Sequence, residues 1–142
     1  MSNEKDFAAM VSRLSKPGDN IKNELTPKQA HLLHMAIGIS GEAGELLDAI
    51  KKHAIYQKPL DVTNVVEELG DLEFFLEGLR STLCISRDEV LAKNISKLSV
   101  RYHSGKYSNQ QAQQRADKHD EPVRTAPFAT ANEGGLIGAA DC

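Results

Sequence analysis

Apolar residues recur at helical spacing in four stretches of this chain, and polar breaks separate them. Phe7, Met10, Val11 and Leu14 share one face of a short helix over 4–14. "SKPGDN" then interrupts the pattern with Pro17 and Gly18. "TPKQ" reads as a helix start: Thr26 as N-cap, Pro27 at the first helical position, Gln29 closing a capping box. The second helix is expected to run to about Tyr56, where "QKPLD" ends it. Asp61 or Thr63 can cap a third helix to about Leu83, and Ser86 with Glu89 opens a fourth to about Tyr102. No segment alternates like a strand. The pattern predicts an all-α protein, an antiparallel four-helix bundle with short connections.

The wheel of the second helix carries more than a core face. At about 100° per residue, Leu32, Met35, Ala36, Ile39, Ala43, Leu46, Leu47 and Ile50 fall on one broad arc. Glu42 falls at the edge of that arc and Glu45 just beyond it. In the third helix the arc is Val62, Val65, Leu69, Leu72, Leu76, Leu79 and Leu83, with Glu68 at its edge and Asp71 just beyond. Helices packed by these stripes bring four carboxylates to one seam. Crowded and partly desolvated, such groups repel, and some take up protons. Mg²⁺ or Mn²⁺, which prefer oxygen ligands, would relieve the repulsion. No His or Cys accompanies the four at ligand spacing, which argues against zinc. On pattern alone, a solvated acidic face and an oxygen-only metal site both fit.

Composition narrows the classes. A chain of 142 residues has the size of one domain. Its net charge of −3 lacks the basic excess of a nucleic-acid binder. The start, MSNEKDFAAM, has no signal-peptide character, and nothing approaches the ~20 apolar residues of a membrane span. Cys84 and Cys142 have no metal-ligand spacing, so neither structural zinc nor a disulfide framework is expected. A cytoplasmic protein is expected, binding neither nucleic acid nor membrane. After Tyr107 the sequence turns polar and Gln/Ala/Gly-rich, which divides the chain into a helical domain over 1–107 and a flexible tail over 108–142, whose first part adds a helical turn or two.

In the fourth helix Asn94, Lys97 and Arg101 share a face beside Leu91, Ile95, Leu98 and Tyr102. Two cations and an amide in a row can grip phosphates. A basic, solvated helix end is the plainer reading. Lys93 and Lys106 are weaker phosphate candidates.

"GEAGELLDAI" followed by "VVEELGDLEFFL" resembles the MazG-like all-α nucleoside triphosphate pyrophosphohydrolases, whose hallmark is E-x-x-E on one helix and E-x-x-D on the next. Here those are Glu42, Glu45, Glu68 and Asp71, and the resemblance spans about residues 25–107. It implies that the four carboxylates bind Mg²⁺ or Mn²⁺, and that a nucleoside triphosphate is cut to a monophosphate and pyrophosphate. It implies that Lys and Arg near "RY" contact phosphate, which supports Asn94, Lys97 and Arg101. Glu45, or else Glu42, is expected to orient or deprotonate the attacking water. The stand-alone form is similar to phage and bacterial members, some of which act on purine deoxynucleotides such as dGTP. The resemblance also implies a homodimer or homotetramer, in keeping with the limited core of so small a subunit.

Other residues point less clearly. His31 suits a helix surface better than a base contact. Asn20 and Asn23 precede the second helix and could offer amides to a base, although that segment reads as a loop; Phe75 reads as core. Base-binding residues are therefore not assigned. The rival role is a non-catalytic metal-binding helical oligomer or interaction protein.

Overall fold

The computed structural model describes residues 3–117, and among them every regular element is a helix. In chain order these are α1 (Asn3–Leu14), α2 (Gly18–Glu24), α3 (Pro27–Ala54), α4 (Val62–Thr82), α5 (Arg87–Arg101) and α6 (Asn109–Gln114).

The caps explain where the helices begin. Gln29 N donates to Thr26 Oγ1 at 3.2 Å, and Thr26 N donates to the Gln29 side chain at 2.9 Å, a reciprocal box with Pro27 behind it. Asp61 Oδ1 accepts from Asn64 N at 3.1 Å, so Asp61 rather than Thr63 caps α4. Ser86 Oγ accepts from Glu89 N at 3.0 Å and starts α5. At the other end of α3, Lys51, Lys52 and His53 lie in the last turn, where cations suit the dipole. Gln57, at φ 55°, then turns the chain. Cys84 stands in the turn after α4 at φ 53°.

Packing is concentrated in one antiparallel hairpin, α3 on α4. Its register is visible in three meetings. A methyl at Gly78 would strike Met35, a methyl at Gly38 would strike the Phe75 ring, and Glu42 meets Asp71. Three or four residues forward on α3 are matched by the same step back on α4. Residues turned inward repeat at three and four: Leu32, Met35, Ile39, Glu42, Leu46 and Ala49 on α3, and Val65, Glu68, Leu72, Phe75, Leu79 and Thr82 on α4. That is the seam of a two-helix coil. Gly38 and Gly78 allow the backbones to approach where Phe75 and Met35 need room. Phe75 is core-facing, as expected, with His34 edge-on at 6.0 Å and Phe74 at 5.2 Å.

The broad apolar arcs therefore divide. Ala36, Ala43, Leu47 and Ile50 of α3, and Val62 and Leu69 of α4, are not in the seam but exposed. Among the described residues only Met35 (5% exposed) and Thr82 (8%) are buried, whereas Leu47 is 67% and Phe74 66% exposed. Extended packing of α1, α2 or α5 on the hairpin, which a four-helix bundle within one chain requires, is not seen. Arg87 on α5 does reach Glu73 of α4 at 3.2 Å.

The segments flanking these helices complete the description. The segment expected as a loop contains α2, and Lys16 pairs with Glu24 across it. The expected division after Tyr107 falls just before α6, which packs on α5. α6 is capped by Ser108 and closed by Arg115 at φ 47°. The rest of the expected tail lies outside the described residues.

Candidate metal centre

Glu42 and Glu68 occupy seam positions that their neighbours fill with Ile39, Leu46, Val65 and Leu72. They are half-buried, and Asp71 follows one turn on as an exposed neighbour. One carboxylate oxygen from each of Glu42, Glu68 and Asp71 lies within 4.8 Å of the others. Desolvation pushes the Glu42 carboxyl above its ordinary range, and the charges of Asp71, Glu45 and Glu68 push it further. Glu45 is thus close enough to be felt at Glu42, but it is exposed and stands outside the triad.

Among the described residues, no lysine or arginine pairs with the triad. The nearest cations along α3 are engaged elsewhere: Lys51 and Lys52 both hold Asp48, at 2.6 and 2.8 Å. A half-buried group of like charges, all oxygen donors and without a counter-charge, is the environment a hard divalent cation would relieve. Among the described residues Asn64 is the one neutral side-chain donor on the group, giving Nδ2–H to Glu68 Oε1 at 3.1 Å.

The other expected site residues are not gathered here. Asn94 and Lys97 are exposed on α5, which does not lie along the hairpin of its own chain. Arg101 is half-buried and already engaged: its Nε and Nη2 donate to the two Asp117 oxygens at 2.6 and 2.7 Å. His31 is exposed on α3. A groove of about 530 Å³ lies where α2 meets α3, lined by Gly18, Ile21, Lys22, Leu25, Thr26, Pro27 and Ala30; Asn20 and Asn23 do not line it. Ala30 precedes Glu42 by more than three helical turns, so this groove is remote from the triad.

A model of the MazG nucleotide pyrophosphohydrolase domain matches residues 29–105, more than half of the chain. The chain belongs to the MazG nucleotide pyrophosphohydrolase family. The match contains the triad, Glu45 and the Asn94/Lys97/Arg101 row, and leaves α1, α2 and Asp117 outside. No curated protein and no solved structure matches the chain. No helix among the described residues of this MazG chain is long and apolar enough to cross a membrane.

Sequence reasoning missed two partners of the site residues. Asn64 had a signal, its i,i+4 spacing from Glu68. Asp117, sixteen residues from Arg101 and beyond a non-helical turn, had none.

Proposed function

We propose that this MazG chain is a metal-dependent pyrophosphohydrolase that cleaves a nucleoside or deoxynucleoside triphosphate between its α and β phosphates. The products are the monophosphate and pyrophosphate. A purine deoxynucleotide such as dGTP is the first substrate to try. One observation carries the reading: Glu42, Glu68 and Asp71 converge at the seam of a MazG domain, with no lysine or arginine of the described residues paired to them.

Glu42, Glu68 and Asp71 would hold Mg²⁺ or Mn²⁺, with Glu45 at the margin of the group. When bound, the metal would neutralise charge on the triphosphate and make water a better nucleophile at neutral pH. Glu45, exposed beside the triad, would orient that water or take its proton. Glu42 is the second choice for that role, since desolvation and its acidic neighbours raise its proton affinity. The seam's apolar neighbours keep both helices in register, so the donors are held before ligand arrives.

Asn94, Lys97 and Arg101 would grip the phosphates. Since α5 does not lie along the hairpin of its own chain, the row fits best as a contribution to a second copy's site. A homodimer or homotetramer would supply that geometry and cover Leu47, Phe74 and Ile95, all more than half exposed in one subunit. Arg101 would then serve phosphate only in competition with Asp117.

The test is to incubate the purified chain with Mg²⁺ or Mn²⁺ and a panel of canonical and modified NTPs and dNTPs, and to resolve the products by ion-exchange chromatography. Monophosphate with pyrophosphate is expected. Diphosphate with orthophosphate would place the cut at the wrong bond. No turnover by folded, metal-loaded protein would favour the rival, a non-catalytic metal-binding helical oligomer, which the large exposed apolar surface also suits.

A further inference from the structure

We infer that Asn64 is a positioning residue for the metal centre, orienting Glu68 through its side-chain amide. The inference rests on the metal reading of the Glu42/Glu68/Asp71 group and concerns how that group is held. Three linked contacts carry it. Asp61 Oδ1 accepts the Asn64 backbone N–H at 3.1 Å, which fixes Asn64 in the first turn of α4. Asn64 is half-buried beside Val65, so its side chain has few places to go. From there Nδ2 reaches Glu68 Oε1 at 3.1 Å, one helical turn on.

The residue type suits this task. A lysine at position 64 would also bind Glu68, but it would neutralise the charge that attracts a cation. An aspartate would repel it. An amide holds the carboxylate and leaves its charge intact, with lone pairs still available on both oxygens. Ligating carboxylates in metal sites are commonly steadied in this way, and loss of such a partner costs about 10–100-fold in metal affinity. Helix capping does not explain the contact, because the cap of α4 uses the Asn64 backbone N–H and not its side chain.

The experiment is a Mn²⁺ titration of the full chain, with free Mn²⁺ read by electron paramagnetic resonance and thermal melting followed without metal. Asn64→Ala keeps the Asp61 cap and removes the amide. It should bind Mn²⁺ at least about 10-fold more weakly than wild type, with an unchanged melting midpoint. Asn64→Gln, which keeps a donor, should recover part of the affinity. Should Asn64→Ala loosen the helix, Asn64→Leu fills the space without a donor and should show the same weakening. Wild-type affinity in the folded Ala or Leu variant would overturn the role of Asn64 and leave the metal centre standing. A wild-type chain that binds no Mn²⁺ would overturn the metal reading itself.

Discussion

The α3–α4 seam and the α5–α6 end treat a carboxylate in opposite ways. Glu42 in the seam has Asp71, Glu45 and Glu68 around it; desolvation and their charges push its proton affinity up. Asp117, whose side chain is only 2% exposed, faces the Arg101 fork, and those hydrogen bonds hold it down to about 2. Removal from water raises both groups, so burial alone does not decide the outcome. The partner decides it. Where the chain supplies its own cation, the result is a closed ion pair. Where it packs carboxylate on carboxylate, the group is left to a proton or to a cation from solution.

The largest effect should come from breaking the seam's chemistry without touching its packing. Glu45 is exposed, so Glu45→Gln should keep the fold and assembly. Under the proposed function it should reduce turnover by about 10²–10⁴-fold, the usual weight of a positioned acid–base group. Steady-state kinetics beside a circular dichroism melt checks this. A variant with a lowered melting point and undiminished turnover would mean that Glu45 serves structure.

A cation from solution should remove the difference between the two regions. Saturating Mg²⁺ or Mn²⁺ at ~100 times its dissociation constant should stabilise the fold by about 2.7 kcal/mol. Without metal, the two carboxylates give opposite pH slopes. Glu42 binds its proton more tightly folded than unfolded, so its contribution is best below the ordinary value of 4.5 and is lost as pH rises through its raised value. Asp117 contributes fully above its ordinary 3.8 and loses that contribution as pH falls towards about 2. Urea midpoints measured across pH with EDTA, and again with Mg²⁺, should show the alkaline-side loss only with EDTA. The acid-side loss should appear in both series. An alkaline-side loss that Mg²⁺ leaves untouched would remove the seam from the list of metal centres.

The register that brings the triad together can be strained directly. Gly38→Ala drives a methyl into the Phe75 ring, one turn from Glu42. Overpacking of this kind costs about 1–3 kcal/mol. The helix propensity of Ala returns up to ~1 kcal/mol of that. Gly70→Ala, which meets nothing within 4 Å, should show the propensity gain alone. Thermal melts of both variants test the pair, and a destabilised Gly70→Ala would reveal a neighbour that a single chain does not contain.

Much of this was legible because it is local. Thr26 with Gln29, Asp61, and Ser86 announced helix starts within four residues of themselves, and each caps as read. The E-x-x-E and E-x-x-D spacings were equally plain. Local signals failed where a choice between partners was needed. The arc of α3 contains one face that meets α4, through Leu32, Met35, Ile39 and Leu46. A second face, with Ala36, Ala43, Leu47 and Ile50, does not meet it. Periodicity merges the two, so Glu42 and Glu68 seemed to edge the stripe when they sit in the seam. α2 was read as a break because Pro17 and Gly18 open it and no side chain caps it. Asn94, Lys97 and Arg101 share a face as expected, but a wheel cannot say which surface that face will meet.

The smallest effect on turnover should come from the ion-paired end, and it bears on the Arg101 assignment. Asp117→Asn keeps the shape and one acceptor but removes the charge that Arg101 answers. The metal-free midpoint should then fall less steeply between the ordinary 3.8 and about 2, since Asp117 no longer titrates there while Asp48, held at about 2 by Lys51 and Lys52, still does. The neutral-pH midpoint should drop as well, because two charge-assisted hydrogen bonds to Arg101 are replaced by a weaker neutral one. For phosphate binding the sign reverses. A guanidinium released from a carboxylate is freer to take phosphate, so KM for the triphosphate should fall while kcat holds. If KM and kcat are both unchanged, Arg101 belongs to the α5–α6 packing alone, and Asn94 and Lys97 remain as the phosphate row.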